Sequence, residues 1–241
     1  MLKSGILIDR NRKSLCACLF LLNSFSTAFN YGPLGHLQTT HRLWEALVKP
    51  GDIIIDATCG NGHDSKFLAS LALKENTASK LYCIDIQGDA IHNTKQLLLS
   101  NPSLSSLVDK QVCFTEGSHE VFPGDIVPGT VTLICYNLGY LPGKKRVNDV
   151  VTGAFNAVIT KPDTTVRSLH NALPLLKEGG MLSVVAYPGH PGGQEEVEAV
   201  QQHLAELDDQ TWRVYAHRPL NKPKLPIVFN AFKINKSGSA R

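Results

Sequence analysis

The sequence predicts an α/β fold: a seven-stranded, mostly parallel sheet with an antiparallel C-terminal hairpin and helices on both faces. Two patterns carry this expectation. From residue 41 onward, short β-rich apolar runs alternate with stretches of helical periodicity, the signature of repeated βα units. Near the C-terminus, two β-type runs at 212–219 and 226–234 are joined by a Pro/Lys-containing turn. That connection is too short for a parallel crossover and permits only an antiparallel hairpin.

The elements follow in order. Leu43, Trp44, Leu47 and Val48 mark one face of a helix that Lys49-Pro50-Gly51 ends. Strands are expected at 52–57, 81–86, 111–115, 131–136 and 181–187. Helical segments fill the gaps at about 63–73, 88–100, 164–177 and 193–207 as crossovers. With 241 residues, 43% of them hydrophobic, the chain can bury a core as one domain, expected over 31–236. No apolar stretch approaches the roughly 20 residues of a membrane span, which argues against a membrane protein.

Residues 1–30 differ in composition. They hold Lys3, Arg10, Arg12 and Lys13 against Asp9, four serines, and the apolar run Leu15–Leu22. This composition fits a transit peptide for a chloroplast or mitochondrion; without such a role the protein would be cytoplasmic. The segment carries the whole formal net charge of +3, so the rest is nearly neutral and any nucleic-acid footprint must be a local patch. Two places qualify. One is Lys144-Lys145-Arg146, followed by Lys161 and Arg167. The other is the acid-free C-terminal segment with Arg213, Arg218, Lys222, Lys224, Lys233, Lys236 and Arg241. Residues 237–241 read as a disordered tail.

Of six cysteines, Cys16 and Cys18 lie in the leader, while Cys59, Cys83, Cys113 and Cys135 are widely spaced with no C-x-x-C. They form neither a disulfide nor a zinc framework and read as small core residues in a reducing compartment, and no metal is expected. The sequence leaves a homodimer open.

The stretch "DATCGNGHDS", residues 56–65, follows the apolar run of the first strand. In an open α/β sheet, ligands bind beyond the carboxyl ends of the strands where strand order reverses, and this turn lies there. Gly60 and Gly62 let the backbone approach a ligand, helix N–H groups begin near His63, and Asp56 and Asn61 add side-chain oxygens. The second strand ends in "CIDIQ", placing Asp85 where nucleotide-binding α/β proteins hold ribose hydroxyls. The turn lacks the third glycine of a dinucleotide fingerprint. The acid at the strand end would repel a pyrophosphate but can bind an ammonium group, which favours S-adenosylmethionine (SAM) over a nicotinamide dinucleotide.

The stretches "VKPGDIIIDATCGNGHDSKFLA", "YCIDIQGDAI", "YNLGYLPG", "TKPDTTVRSLHNALPLLKEGGMLSVVAYPGHPGGQEEVEAV" and "RPLNKPKLPIVFNAFK" together resemble one class I methyltransferase family across residues 41–234. It was first labelled for rRNA methylases, and its characterised members are tRNA 5-aminomethyl-2-thiouridine methyltransferases of MnmM type. The resemblance implies a Rossmann-like class I methyltransferase fold, SAM as cofactor, and methyl transfer to the amine of a wobble-uridine side chain in a tRNA anticodon stem-loop. It places the cofactor against Asp56, Thr58, Gly60, Asn61, Gly62, Asp85, Ile86, Ser118 and His119. It also aligns "NLGY" with the N-P-P-Y motif of amino methyltransferases, so that Asn137 would hold the amine and Tyr140 would stack on the base. The family carries an acid directly before Ser118-His119, where this chain has Gly117, leaving Glu116, Ser118 or the backbone for the adenine. This chain also has Lys144-Lys145-Arg146 in place of Gly-Asp-Lys, and a longer segment, 144–160, before the next helix.

An alkylammonium has no lone pair to attack with, so a proton must leave. Tyr187 and His190 of "AYPGHPGG" follow the fifth strand on the same sheet edge, and a histidine there can take the proton or shape its loop. The competing functions are methyl transfer to rRNA or to a small amine, and a catalytically silent SAM-fold RNA-binding protein. An NAD oxidoreductase is the remotest reading.

Overall fold

The computed structural model describes residues 35–138 and 161–235; the leader, Tyr140, the 144–160 segment, Lys236 and the 237–241 tail lie outside the described residues. The chain enters with helix α1 (His36–Leu47), then β1 (Ile53–Asp56), α2 (His63–Ala72), β2 (Lys80–Asp85), α3 (Gly88–Leu99), α4 (Ser105–Gln111), β3 (Val112–Glu116) and β4 (Val131–Asn137). There follow α5 (Pro162–Ala172), a 3₁₀ turn (Leu173–Leu175), β5 (Leu176–Ala186), α6 (Gly193–Ala205), β6 (Trp212–His217) and β7 (Ile227–Lys233).

The strands form one seven-stranded sheet in the order β3-β2-β1-β4-β5-β7-β6. The pairs joining β1 to β5 are parallel, whereas β7 runs antiparallel to both β5 and β6. Strand order reverses between β1 and β4, which makes the crevice beyond their carboxyl ends the place for a ligand. The register aligns that edge: Asp56 pairs with Cys83 and Cys135, Asp85 with Glu116, and Asn137 with Val185.

Alternation along the strands fills two cores. Ile55, Ile84, Ile134 and Leu182 face α5 and α6 and pack with Leu169, Val197 and Val200. Ile54, Leu81, Cys83 and Leu133 face the other way and pack with Trp44, Leu68, Leu98 and Val108. Cys83 and Cys135 are buried free thiols in these layers, and Cys59 is a buried free thiol in the turn after β1. No helix among the described residues is long and apolar enough to cross a membrane.

Three elements depart from the sequence reading. Helix α1 begins at His36, earlier than the apolar stripe implied, and buries Thr40, whose hydroxyl donates to the His36 carbonyl at 2.8 Å. The short helix α4 was not anticipated; its buried Leu107, Val108 and Gln111 are too few to show a period in the sequence. Strand β5 starts at Leu176 because the segment before Met181 also pairs with β4, across a register shift between Val131 and Leu133.

Below the sheet, Asp52 joins β1, β4 and β5. Its carboxylate accepts from Lys177 Nζ at 2.7 Å, Thr132 Oγ1 at 2.6 Å and the Lys49 amide at 2.8 Å. Burial pushes this carboxyl up, but those donors outweigh it and hold it below its ordinary value.

Where β5 crosses β4, a Cβ on Gly180 would lie 2.9 Å from the Lys177 carbonyl oxygen and 3.0 Å from that of Val131. Both are backbone atoms of paired strands and have little room to move. Gly180→Ala is therefore expected to cost about 1–3 kcal/mol, the range for overpacking. A urea unfolding curve checks this, and an unchanged midpoint would show that β5 can slide at no cost.

Candidate functional site

The turn after β1 is built from backbone. Gly60 and Gly62 adopt φ of 52° and 81°, and the Gly62 amide closes the turn on the Cys59 carbonyl at 2.8 Å. A Cβ on Gly62 would sit 2.8 Å from Thr94 Cα, so the glycine is required by the approach of α3 as well as by its positive φ. Thr94 Oγ1 donates to the Gly60 carbonyl at 2.9 Å, and Asn93 Nδ2 to Asn61 Oδ1 at 3.3 Å, which fastens the turn to α3.

Asp85 closes the turn from the β2 side. One carboxylate oxygen accepts the Gly60 amide at 2.9 Å and the other the Gln87 amide at 3.0 Å. Each oxygen keeps a lone pair for a further donor. Burial pushes the carboxyl up, with the two amides opposing it. Beside it Ile86 is 63% exposed, an apolar surface next to an oriented carboxylate. His119 Nε2 is buried without a hydrogen-bond partner among the described residues, and its ring stands edge-on to Tyr136. Burial lowers that imidazole, so it stays neutral near pH 7. Ser118 is taken up locally, donating to Glu120 Oε2 at 3.1 Å.

Asp56 lies beneath this surface. It is 2% exposed, accepting from Ser65 Oγ at 2.6 Å and from the Thr58 amide at 3.4 Å. Burial first, and then repulsion from Asp64, raise its carboxyl to about 7. Thr58 Oγ1 in turn accepts the Asn137 amide at 2.7 Å, tying the end of β4 to the turn.

The second half of the site gathers around Asp64, in the first turn of α2. Its Oδ1 lies 2.7 Å from His41 Nε2, and its Oδ2 accepts from Asn137 Nδ2 at 3.4 Å. The His41 ring stacks on Phe67 at 4.2 Å and tilts against Trp44, which fixes its direction. Tyr187 Oη lies 3.3 Å from His36 Nε2, with the rings edge-to-face at 5.6 Å. Burial and the Asp64 carboxylate raise the Tyr187 phenol, while a contact with the Asn137 side chain opposes them. Burial lowers the His36 imidazole despite Asp64.

Asn137 and Tyr187 thus stand together, with His36, His41 and Asp64 as partners that the sequence reading did not assign. Asp64 was hidden because an acid in a first helical turn is ordinary dipole complementarity. His36 and His41 belong to a helix whose position over the strand edge no local pattern reveals. His190 is placed by its own loop: Nδ1 donates to the Pro191 carbonyl at 3.0 Å, and its ring edge lies 3.0 Å from where a Cβ on Gly193 would be. Tyr140 is outside the described residues.

Three carboxylates, among them the oriented pair of oxygens at Asp85, together with the exposed Ile86 make this edge suited to a cationic ligand that carries hydroxyls and an apolar ring. No group of three His, Cys, Asp or Glu residues among those described could hold a metal ion.

The family described as "Putative rRNA methylase" matches residues 81–233. The "tRNA (mnm(5)s(2)U34)-methyltransferase, chloroplastic" of Arabidopsis thaliana is 33% identical over 216 residues, covering 88% of this chain and 74% of that protein. A crystal structure titled "putative rRNA-methylase" from Clostridium thermocellum is 32% identical with a TM-score of 0.71, covering 83% of this chain and 98% of that one. A "putative methyltransferase" from Streptococcus mutans in complex with SAH is 29% identical with a TM-score of 0.65, covering 82% and 97%.

Two outcomes are expected of these carboxylates. Asp85→Ala removes the acceptor for two hydroxyls, worth about 2 kcal/mol, so the SAM dissociation constant should rise roughly 30-fold in a calorimetric titration. Unchanged affinity would remove Asp85 from the ribose site. Asp56 has a folded-state value of about 7, above the ordinary 3.8, so its contribution to stability is complete below 3.8 and is lost as pH rises through 7. The lowered His36 and His119 act in the opposite sense, so the comparison with Asp56→Asn isolates the aspartate. Relative to the variant, the wild type should lose stability between pH 4 and pH 8 in urea titrations; parallel curves would refute the buried ionisation.

Proposed function

The chain belongs to the rRNA methylase family of class I enzymes and is a SAM-dependent methyltransferase; from that premise we propose that it methylates the aminomethyl nitrogen of 5-aminomethyl-2-thiouridine at the tRNA wobble position, in an organelle. The observation that carries the reading is the Asp64–Asn137–Tyr187–His36 cluster at the end of β4, a set of polar groups suited to a primary amine. The Arabidopsis relative, named as a chloroplastic tRNA methyltransferase, supports both the substrate and the compartment.

SAM, when bound, supplies a sulfonium methyl that a neutral amine can attack. The residues then divide the remaining work. Asp64 draws the incoming ammonium to the pocket and is itself steadied by His41. Asn137 spends its NH₂ on Asp64, which leaves its carbonyl oxygen to accept an amine N–H and orient the nitrogen lone pair. Tyr187 stays protonated at neutral pH because its phenol is raised, and His36 stays neutral because its imidazole is lowered. With the His36 proton on Nδ1, the phenol donates to Nε2, and a proton leaving the amine can pass through the hydroxyl to that nitrogen. His190 serves as the residue that shapes the loop carrying Tyr187.

The test is incubation of the full chain with methyl-deuterated SAM and tRNA bearing unmethylated 5-aminomethyl-2-thiouridine, followed by nucleoside mass spectrometry. A labelled 5-methylaminomethyl product is expected. No label on that nucleoside, with SAM binding intact, would overturn the substrate, and label in rRNA or a small amine would replace it. In the same assay, Asn137→Ala should lower turnover roughly a hundredfold through misplacement of the nitrogen while SAM binding survives. Near wild-type turnover would remove Asn137 from the amine.

A further inference from the structure

The connection between β6 and β7, residues 218–226, has a composition and a place that the methyl-transfer site alone does not explain. Because β7 runs antiparallel to β5, with Ala186 paired to Ile227 and Val228 to His217, this loop emerges at the same sheet edge as Asn137 and Tyr187. It packs against the loop after β5: the Lys224 carbonyl lies 3.2 Å from where a Cβ on Gly189 would be, two residues beyond Tyr187. The segment is held out in solvent, with Leu220 88% exposed at its tip. Pro219, Pro223 and Pro226 restrict its backbone, and turn bonds from Lys222 to Pro219 and from Leu225 to Lys222 shape it.

Its charge has one sign. Arg218, Lys222 and Lys224 take part in none of the ion pairs among the described residues, and the sequence has no acid after Asp209. By contrast Arg167, another exposed cation of the described residues, is engaged by Glu120. An unpaired cationic loop on a nearly neutral domain is the local patch that a polyanion requires. Stiffness adds to its fitness, because a pre-shaped loop gives up little conformational freedom on binding.

We propose that loop 218–226 grips the sugar–phosphate backbone of the RNA strand beside the target nucleotide, with Arg218, Lys222 and Lys224 each neutralising a phosphate. The proposal rests on the reading of the substrate as RNA. It assigns the loop to positioning without base readout, since lysines on phosphates carry no sequence information.

The experiment titrates a tRNA transcript against the full wild-type chain and against R218A/K222A/K224A over a salt series, with SAM titration and melting temperature alongside. Each lost phosphate contact lowers the slope of log affinity against log salt by about 0.7–0.9, so a loss of about two is expected, with RNA affinity falling on the order of tenfold or more at low salt. SAM affinity and melting temperature should not change. A wild type that binds RNA with the same slope as the variant overturns the loop's role and leaves the RNA substrate standing. A wild type that binds no RNA overturns both. Should the triple variant melt early, Lys222→Glu against Lys222→Ala decides: a like charge facing phosphate must weaken RNA binding further than neutralisation, and equal affinities overturn the proposal.

Discussion

The Asp64 carboxylate joins parts of the chain that sequence keeps far apart. It sits in α2, receives Asn137 from the end of β4, and pairs with His41 from α1, so a helix, a strand end and the helix over them share one anion. Such a group cannot be placed by a loop. Its helix starts at Gly62, the turn before it is pinned by Asp85 and Thr94, and the strand opposite is tied to the same turn through Thr58. The turn after β1 and the Asp64 cluster therefore share a scaffold, and a displacement of the turn would disturb both at once.

Around that anion the protein separates two kinds of carboxylate. Asp56 is sealed beneath the turn and shares its charge with a proton near neutrality, whereas Asp85 has both oxygens aimed by backbone amides and stays at the surface. A cationic ligand would favour ionisation of Asp56 and Asp85. The surrounding histidines respond the other way, since burial keeps His36 and His119 uncharged. The edge of the sheet thereby sets uncharged imidazoles beside carboxylates.

Much of this was legible before any coordinates. The β-rich runs gave the strands because parallel crossovers force a regular alternation, and the C-terminal pair announced its direction through the length of its connection. Asp85 and the glycine turn were legible because a strand end followed by small residues has few other uses. The Asp64 cluster was not, since its members lie on three elements and each alone has an ordinary explanation: a first-turn acid, a half-buried helix histidine, a tyrosine after a strand. Helix α4 was missed for lack of length, and the extension of β5 because Leu176 and Lys177 read as the end of the helix expected over 164–177 until β4 is beside them. Proximity across the fold is the information a single sequence does not display.

The position of β7 has one more consequence. β7 lies between β5 and β6 yet follows both in the chain, so until it is made β5 has one flank of unpaired backbone groups. Until β7 is in place, that flank is open to any other extended peptide. Whatever delays β7 lengthens the interval in which the centre of the sheet can pair with the wrong strand.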